Sequence, residues 1–140
     1  MRIVGIVFLS CAMAGLARTS VLIATHKSIE VHRPIPEPSA LVKVSLPSAL
    51  RLHGAGALFV DARDAADYLD GHIKGAINVP VGPADRIRLG MSGVSIDRTI
   101  VVYCANANCG KAEVIAHALS QLGFINVSVY SAGWDKWPKK

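Results

Sequence analysis

The feature that most constrains the fold is a strand-like run that ends in a cysteine and leads into a helix-like run. Residues 99–103 are β-branched and apolar, which is typical of a strand buried on both faces. Cys104 ends this run, and residues 105–111 are small and polar. Between 112 and 122, apolar residues recur at helical spacing and predict one buried face: Val114, Ile115, Ala118, Leu119 and Leu122. A thiol is therefore predicted at the carboxyl end of a central strand.

This position favours a functional thiol. Open α/β sheets bind ligands at the carboxyl ends of their strands. The backbone N–H groups of the following loop, together with a helix N-terminus, favour an anion and hence a thiolate. The alternative is that Cys104 packs as a small buried hydrophobe. The polar residues after it argue against that alternative, because a packed core would have apolar residues there.

Strand-like and helix-like runs alternate along the rest of the chain. Strands are predicted at residues 41–44, 58–61, 76–79 and 127–130. Helices or helical turns are predicted at residues 46–53, 65–70, 83–89 and 134–137. Such alternation predicts an α/β fold, in which a parallel sheet is flanked by helices on both faces.

Several spaced motifs match one family together. They are Phe-Val-Asp-Ala-Arg at 59–63, a short helix at 65–70, Gly-His-Ile-Lys-Gly-Ala-Ile-Asn-Val-Pro at 71–80, the Cys104 loop, and the ending Leu-Gly-Phe … Ser-Ala-Gly-Trp at 122–134. Over residues 41–137 the chain resembles the rhodanese-like family. The resemblance implies a single rhodanese-like module with sulfurtransferase activity.

The resemblance also implies roles for individual residues. Cys104 is the nucleophile, and it carries sulfane sulfur as a persulfide. The loop that cradles the anionic terminal sulfur consists of Ala105, Asn106, Ala107, Asn108, Cys109, Gly110 and Lys111. Asp61 and Arg63 brace this loop, and His72 belongs to the architecture of a turn. The implied partners are a small sulfur-containing anion such as thiosulfate and a thiol acceptor, with no cofactor.

The loop departs from the family pattern in length and charge. The family usually has C-x4-R, whereas this chain has C-x6-K, with Lys111 at the position where the family often has Arg. A lysine cannot clamp an oxyanion with two parallel hydrogen bonds as arginine does. The departure argues against phosphatase chemistry and leaves the sulfur donor open.

Cys109 lies within the lengthened loop. If the loop bends back, its thiol would reach Cys104 and resolve a persulfide or sulfenate into a disulfide. Alternatively, Cys109 packs under the start of the helix. A dithiol redox protein using both cysteines and a non-catalytic rhodanese-like binding module therefore remain alternatives to a sulfurtransferase. Cys-x4-Cys has no second Cys or His pair at zinc spacing, so no metal site is predicted.

The amino terminus predicts export or anchoring. Arg2 precedes an uncharged, mostly apolar stretch at residues 3–17. Residues 1–24 are therefore predicted to be a signal peptide or a membrane anchor, because residues 3–24 would be long enough to span a bilayer. Residues 25–40 contain spaced prolines and predict a linker, and residues 41–140 form the domain. A periplasmic, otherwise extracytoplasmic or membrane-anchored location follows.

The charge distribution excludes one class of partner. The net charge is +5, but the basic residues are scattered and form no stripe interleaved with aromatic residues. Nucleic-acid binding is therefore not predicted. The positive charge would modestly help to attract small anions.

Overall fold

The apolar run before Cys104 forms the middle strand of a five-stranded sheet. The structure is a computed structural model, and it describes residues 40–139. All strand pairs are parallel, in the order β1-β5-β4-β2-β3. The strands are β1 (Val42–Val44), β2 (Leu58–Asp61), β3 (Ile77–Asn78), β4 (Ile100–Tyr103) and β5 (Val127–Tyr130). The parallel sheet confirms the predicted fold class.

Helices cover both faces of the sheet, as predicted. They are α1 (Leu46–Gly54), α2 (Ala65–Asp70), α3 (Ala84–Gly90), α4 (Lys111–Gln121) and a 3₁₀ helix (Trp134–Lys136). One apolar cluster joins Ile100 and Val102 of β4 to buried residues of α3 and α4. A second cluster, on the opposite face, joins Val101 and Tyr103 to α1 and the two tryptophans near the carboxyl end. The alternation along β4 explains why all four of its residues are buried.

The buried face of α4 is rotated relative to the prediction. Ile115 and Leu119 are fully buried as expected, but Val114 is 51% exposed. Ala112 and Ala116 take its place against the sheet. Positions 112, 115, 116 and 119 form one stripe at helical spacing, and position 114 lies outside it. The prediction for Val114 was therefore wrong.

The amino-terminal predictions lie outside the described residues. These are the signal peptide or anchor at 1–24 and the linker at 25–40, of which only Ala40 is described. Between residues 40 and 139, no helix combines the length and apolar character needed to cross a bilayer.

The topology places two loops side by side. β2 pairs with β4 in a register that sets Asp61 opposite Tyr103. The pairing continues one residue further, because the Ala62 N–H donates to the Tyr103 carbonyl at 2.9 Å. The segments that follow the two strands, with Arg63 and Cys104, therefore leave the sheet at the same edge.

Candidate functional site

Cys104 is held by its backbone at the carboxyl end of β4. Its side chain is only 2% exposed and belongs to the apolar cluster on the α4 face. The Cys104 carbonyl accepts a hydrogen bond from the Trp134 N–H at 2.8 Å. The Ala105 carbonyl accepts one from the Asp135 N–H at 2.9 Å. The start of the cysteine loop is thus fixed to the 3₁₀ helix.

Asn106 organises the turn that follows. Its side-chain oxygen accepts a hydrogen bond from the Asn108 N–H at 3.1 Å, an arrangement that asparagine often adopts in turns. Its carbonyl accepts another from the Cys109 N–H at 3.1 Å. Its side-chain amide donates to Asp135 at 3.2 Å. Asn106 therefore shapes the loop from within and ties it to the 3₁₀ helix.

Only some of the loop N–H groups remain available for an anion. The turn uses those of Asn108 and Cys109. Within residues 40–139, the N–H groups of Ala105, Asn106, Ala107 and Gly110 donate to no protein acceptor. The predicted cradle therefore keeps free donors at both ends of the turn.

The structure joins Cys104 and Cys109 in a disulfide. Their Cα atoms lie 6.1 Å apart, and four residues separate them in the chain. Cys109 is half-buried, whereas Cys104 is almost fully buried. The loop thus bends back as far as pairing of the two thiols requires.

Lys111 lies outside the loop and is the first residue of α4. Its ammonium forms an ion pair with the Asp64 carboxylate at 2.8 Å, and both side chains are exposed to solvent. Asp64 follows β2 and precedes α2. The positive charge at the position where the family often has Arg is therefore shared with a carboxylate.

Asp61 and Arg63 form a buried ion pair. Arg63 Nη2 lies 2.7 Å from one Asp61 oxygen, and Nε donates to the other at 3.0 Å. Arg63 Nη2 also donates to the Gly71 carbonyl at 2.6 Å. Burial lowers the pKa of Arg63, but hydrogen bonding to Asp61 and the Asp61 charge outweigh it, so the pKa is raised overall. Arg63 thus remains charged where it lies.

The contacts between this ion pair and the cysteine loop run through Trp134. The Arg63 guanidinium lies 5.4 Å from the centroid of the Trp134 ring, within the range of a cation–π interaction. The Trp134 N–H in turn holds the Cys104 carbonyl. In the described part of the chain, Asp61 makes no hydrogen bond with residues 104–111. Trp134 is therefore the intermediate between the ion pair and the loop.

Three residues around the site were not identified from the sequence as contributors to it. Gly133 has a positive φ of 69° and packs directly on the Cys104 and Ala105 backbone. Trp134 and Asp64 contact Arg63 and Lys111, respectively. The Gly-Trp pair is visible in the sequence, but only its position opposite the loop reveals its role.

Two tyrosines and a histidine complete the surroundings. The Tyr103 hydroxyl accepts a hydrogen bond from the Ile73 N–H at 3.1 Å. Burial raises the pKa of Tyr103, and it also raises that of Tyr130.

His72 stacks on Tyr68 with ring centroids 3.9 Å apart, and its Nδ1 lies 2.9 Å from the Tyr68 carbonyl oxygen. These contacts agree with a role for His72 in the turn. Among residues 40–139, no three His, Cys, Asp or Glu side chains group as a metal site would require.

Comparison with known proteins identifies relatives by sequence. The rhodanese-like domain family matches residues 47–140. The chain is 34% identical over 123 residues to 3-mercaptopyruvate sulfurtransferase of Escherichia coli K12, a match that covers 71% of this chain and 42% of that protein. It is 33% identical over 100 residues to thiosulfate sulfurtransferase GlpE of Pseudomonas entomophila, with coverage of 71% and 86%. The chain thus spans less than half of the first relative and most of the second.

Solved structures share the fold. The BH2092 protein of Bacillus halodurans is 27% identical, with a TM-score of 0.60 over 69% of this chain and 70% of that one. The human single-domain sulfurtransferase TSTD1 is 22% identical, with a TM-score of 0.57 over 70% and 96%, and it bears on the fold alone. The parallel sheet, the family match and the sulfurtransferase relatives together show that the chain belongs to the rhodanese-like domain family.

Proposed function

We propose that the chain is a sulfurtransferase that carries sulfane sulfur as a persulfide on Cys104. The observation that carries the proposal is the position of Cys104, which ends the middle strand and begins a loop with free N–H donors. The names of the sequence relatives, thiosulfate sulfurtransferase and 3-mercaptopyruvate sulfurtransferase, support the same chemistry. The proposed donor is a small sulfur-containing anion, and the proposed acceptor is a thiol or another nucleophile.

The proposed reaction is a pair of displacements at sulfur. With thiosulfate as donor, the Cys104 thiolate attacks the outer sulfur, the sulfur–sulfur bond of thiosulfate breaks, and sulfite leaves with the bonding electrons. Cys104 then holds a persulfide whose terminal sulfur is anionic. The free N–H groups of Asn106, Ala107 and Gly110 would stabilise that charge, as oriented backbone donors do in other sites. An acceptor nucleophile takes the terminal sulfur and restores the thiolate.

The disulfide makes this activity dependent on reduction. While Cys104 is bonded to Cys109, it has no thiolate to attack the donor. We therefore expect the oxidised protein to be inactive and the reduced protein to be active. The Asp61–Arg63 pair is proposed to position the loop through Trp134, without contacting the donor.

The location is proposed to be outside the cytoplasm or at a membrane. Residues 3–24 support export or anchoring by their apolar sequence. The Cys104–Cys109 disulfide supports an oxidising compartment, because disulfides persist there. Fractionation tests this proposal, and recovery of the full-length protein as a soluble cytosolic species would contradict it.

The disulfide also favours a second candidate, a dithiol redox protein without sulfur transfer. The deciding experiment is a thiosulfate-to-cyanide assay on protein that has been reduced and freed of reductant, with Cys104→Ser as control. Formation of thiocyanate by the reduced wild type and its loss in Cys104→Ser would support the sulfurtransferase. If no thiocyanate and no sulfite form, sulfur transfer from thiosulfate is excluded. Reversible reduction of the disulfide would then support the dithiol redox protein. A disulfide that is not reversibly reduced would support the non-catalytic binding module.

A further inference from the structure

We propose that Cys109 discharges the Cys104 persulfide as hydrosulfide, and that an external dithiol reductant then resets the resulting disulfide. The inference rests on the proposed function, and it names the product and the co-substrate class of that same site. It makes the site a dithiol-dependent reductase of sulfane sulfur, with the disulfide as an intermediate of the cycle.

The geometry determines which sulfur Cys109 can attack. The turn held by Asn106 brings Cys109 within bonding reach of the Cys104 sulfur, as the disulfide demonstrates. In a persulfide, the sulfur at this position is the inner one, attached to the Cys104 side chain. Attack at the inner sulfur expels the outer sulfur, whereas transfer to an acceptor requires attack at the outer sulfur.

The discharge step balances without an oxidant. The Cys109 thiolate forms a bond to the inner sulfur, and the bond between the two persulfide sulfurs breaks. The outer sulfur leaves with the electron pair as hydrosulfide, keeping the persulfide proton or taking one from water. The sulfane sulfur is thereby reduced, and the two cysteines are oxidised to the disulfide.

The reset step consumes one dithiol. Its first thiolate attacks the disulfide, and its second thiol releases the mixed disulfide, so the two cysteines are reduced while the dithiol is oxidised. Thiosulfate and a dithiol are thus converted into sulfite, hydrosulfide, a proton and the oxidised dithiol. The redox state of the dithiol pool would set how fast the site turns over.

The difference in burial predicts which of the two cysteines the reductant attacks. Cys104 is 2% exposed, whereas Cys109 is half-buried in the outer part of the loop. Access decides which sulfur of a disulfide is attacked. The reductant is therefore expected to form its mixed disulfide with Cys109. Cys104 then leaves as the thiolate that attacks the next donor.

A single-turnover experiment on the full chain tests the discharge step. Reduced wild type, Cys109→Ser and Cys11→Ala are freed of reductant and mixed with thiosulfate, and sulfite, hydrosulfide and intact mass are followed. Cys11→Ala is the matched control, because it also removes one cysteine but lies outside the domain. We expect wild type and Cys11→Ala to release hydrosulfide equimolar with sulfite and to end two hydrogens lighter. We expect Cys109→Ser to remain one sulfur heavier for roughly tenfold longer or more, because it lacks the intramolecular thiol.

The outcomes separate the two proposals. Equally fast hydrosulfide release by Cys109→Ser, or a stable persulfide in the wild type, would overturn the discharge step and leave the sulfurtransferase standing. Absence of sulfite from all three proteins would overturn sulfur transfer from thiosulfate, and the discharge step that follows it.

A trapping experiment tests the reset step. The oxidised protein is mixed with a dithiol protein whose second cysteine is serine, and the reaction is quenched in acid and digested. We expect the mixed disulfide on the peptide that contains Cys109. A mixed disulfide confined to Cys104 would contradict the proposed attack of the reductant at Cys109.

Discussion

Gly133 lies so close to the Cys104 carbonyl that a Cβ at position 133 would be 2.6 Å from its oxygen. The same Cβ would be 2.5 Å from the Ala105 carbonyl oxygen. The backbone at 133 also has a positive φ of 69°, which L side chains rarely adopt. The contact between residue 133 and the cysteine loop therefore requires glycine for two independent reasons.

The first prediction compares two glycines with positive φ. Gly133→Ala is expected to lower the free energy of unfolding by about 3 kcal/mol or more, because the new methyl group overlaps with fixed backbone. Gly123→Ala is the control, since its φ is +98° but nothing lies within 4 Å of its Cβ position. It should cost only about 1–2 kcal/mol of backbone strain. Urea unfolding measures both, and equal losses would contradict the close approach.

The second prediction compares two aspartates under the same substitution. Asp61→Asn leaves the Arg63 charge buried without its carboxylate, and we expect a loss of about 3–5 kcal/mol. Asp64→Asn breaks an exposed ion pair and should cost less than about 1 kcal/mol. Thermal and urea unfolding of the two variants provide the measurement. A small loss for Asp61→Asn would mean that the buried pair does not support the loop.

The third prediction uses Asp64 to test the charge of Lys111. In Asp64→Asn the ammonium loses its partner, so we expect thiosulfate to react with reduced Cys104 about threefold faster at low salt. High salt should abolish the gain through screening. Glu113→Gln is the control, because it changes the net charge equally but releases Lys43 of β1. Equal acceleration by both variants would indicate a general effect of net charge.

The fourth prediction concerns the two buried tyrosines. Tyr103→Phe leaves the buried Ile73 N–H without its acceptor and should cost about 1–3 kcal/mol. The Tyr130 hydroxyl is buried without a hydrogen-bond partner in the part of the chain that the structure describes. Tyr130→Phe should therefore be neutral or slightly stabilising. Urea unfolding near neutral pH measures both, and a large loss for Tyr130→Phe would reveal a partner for its hydroxyl.

The same tyrosines predict a dependence of stability on alkaline pH. Burial raises the pKa of both above the ordinary value of about 10. Above about pH 10 the unfolded chain releases these protons while the folded domain retains them, so the free energy of unfolding falls as pH rises. Below that pH, the contribution is fully present. In the double variant Tyr103→Phe/Tyr130→Phe, the free energy of unfolding should fall less steeply with rising pH. If it falls as steeply as in the wild type, other groups cause the alkaline loss of stability.

Much of the fold could be predicted because its signals are local. The β-branched run of β4, the cysteine at its end and the helical pattern of α4 are each encoded within a few residues. The wrong prediction for Val114 also has a local cause. Valine and alanine both fit a helical stripe, and the sheet selects the side that lets small alanines approach closely.

The site could be predicted only in part because its contacts join distant segments. Asp64 and Lys111 are 47 positions apart, and neither has a neighbour in the sequence that marks it as a partner. Cys109 could be recognised as a candidate partner of Cys104, but whether the loop bends back depends on the turn made by Asn106. Trp134 was predicted to lie in a short helix, and its link between Arg63 and Cys104 exists only in the folded chain.

The hydrogen bonds from the 3₁₀ helix to the cysteine loop also fix directions in space. A peptide unit is planar and trans, so the N–H of each residue points opposite to the carbonyl that precedes it. The Cys104 and Ala105 carbonyls point towards residues 134 and 135, which turns the N–H groups of Ala105 and Asn106 to the other side. The orientation of these two donors is therefore determined before any sulfur arrives. In the proposed function, the anionic outer sulfur would meet dipoles that need no rearrangement, as in a prepared site and unlike a flexible polar loop.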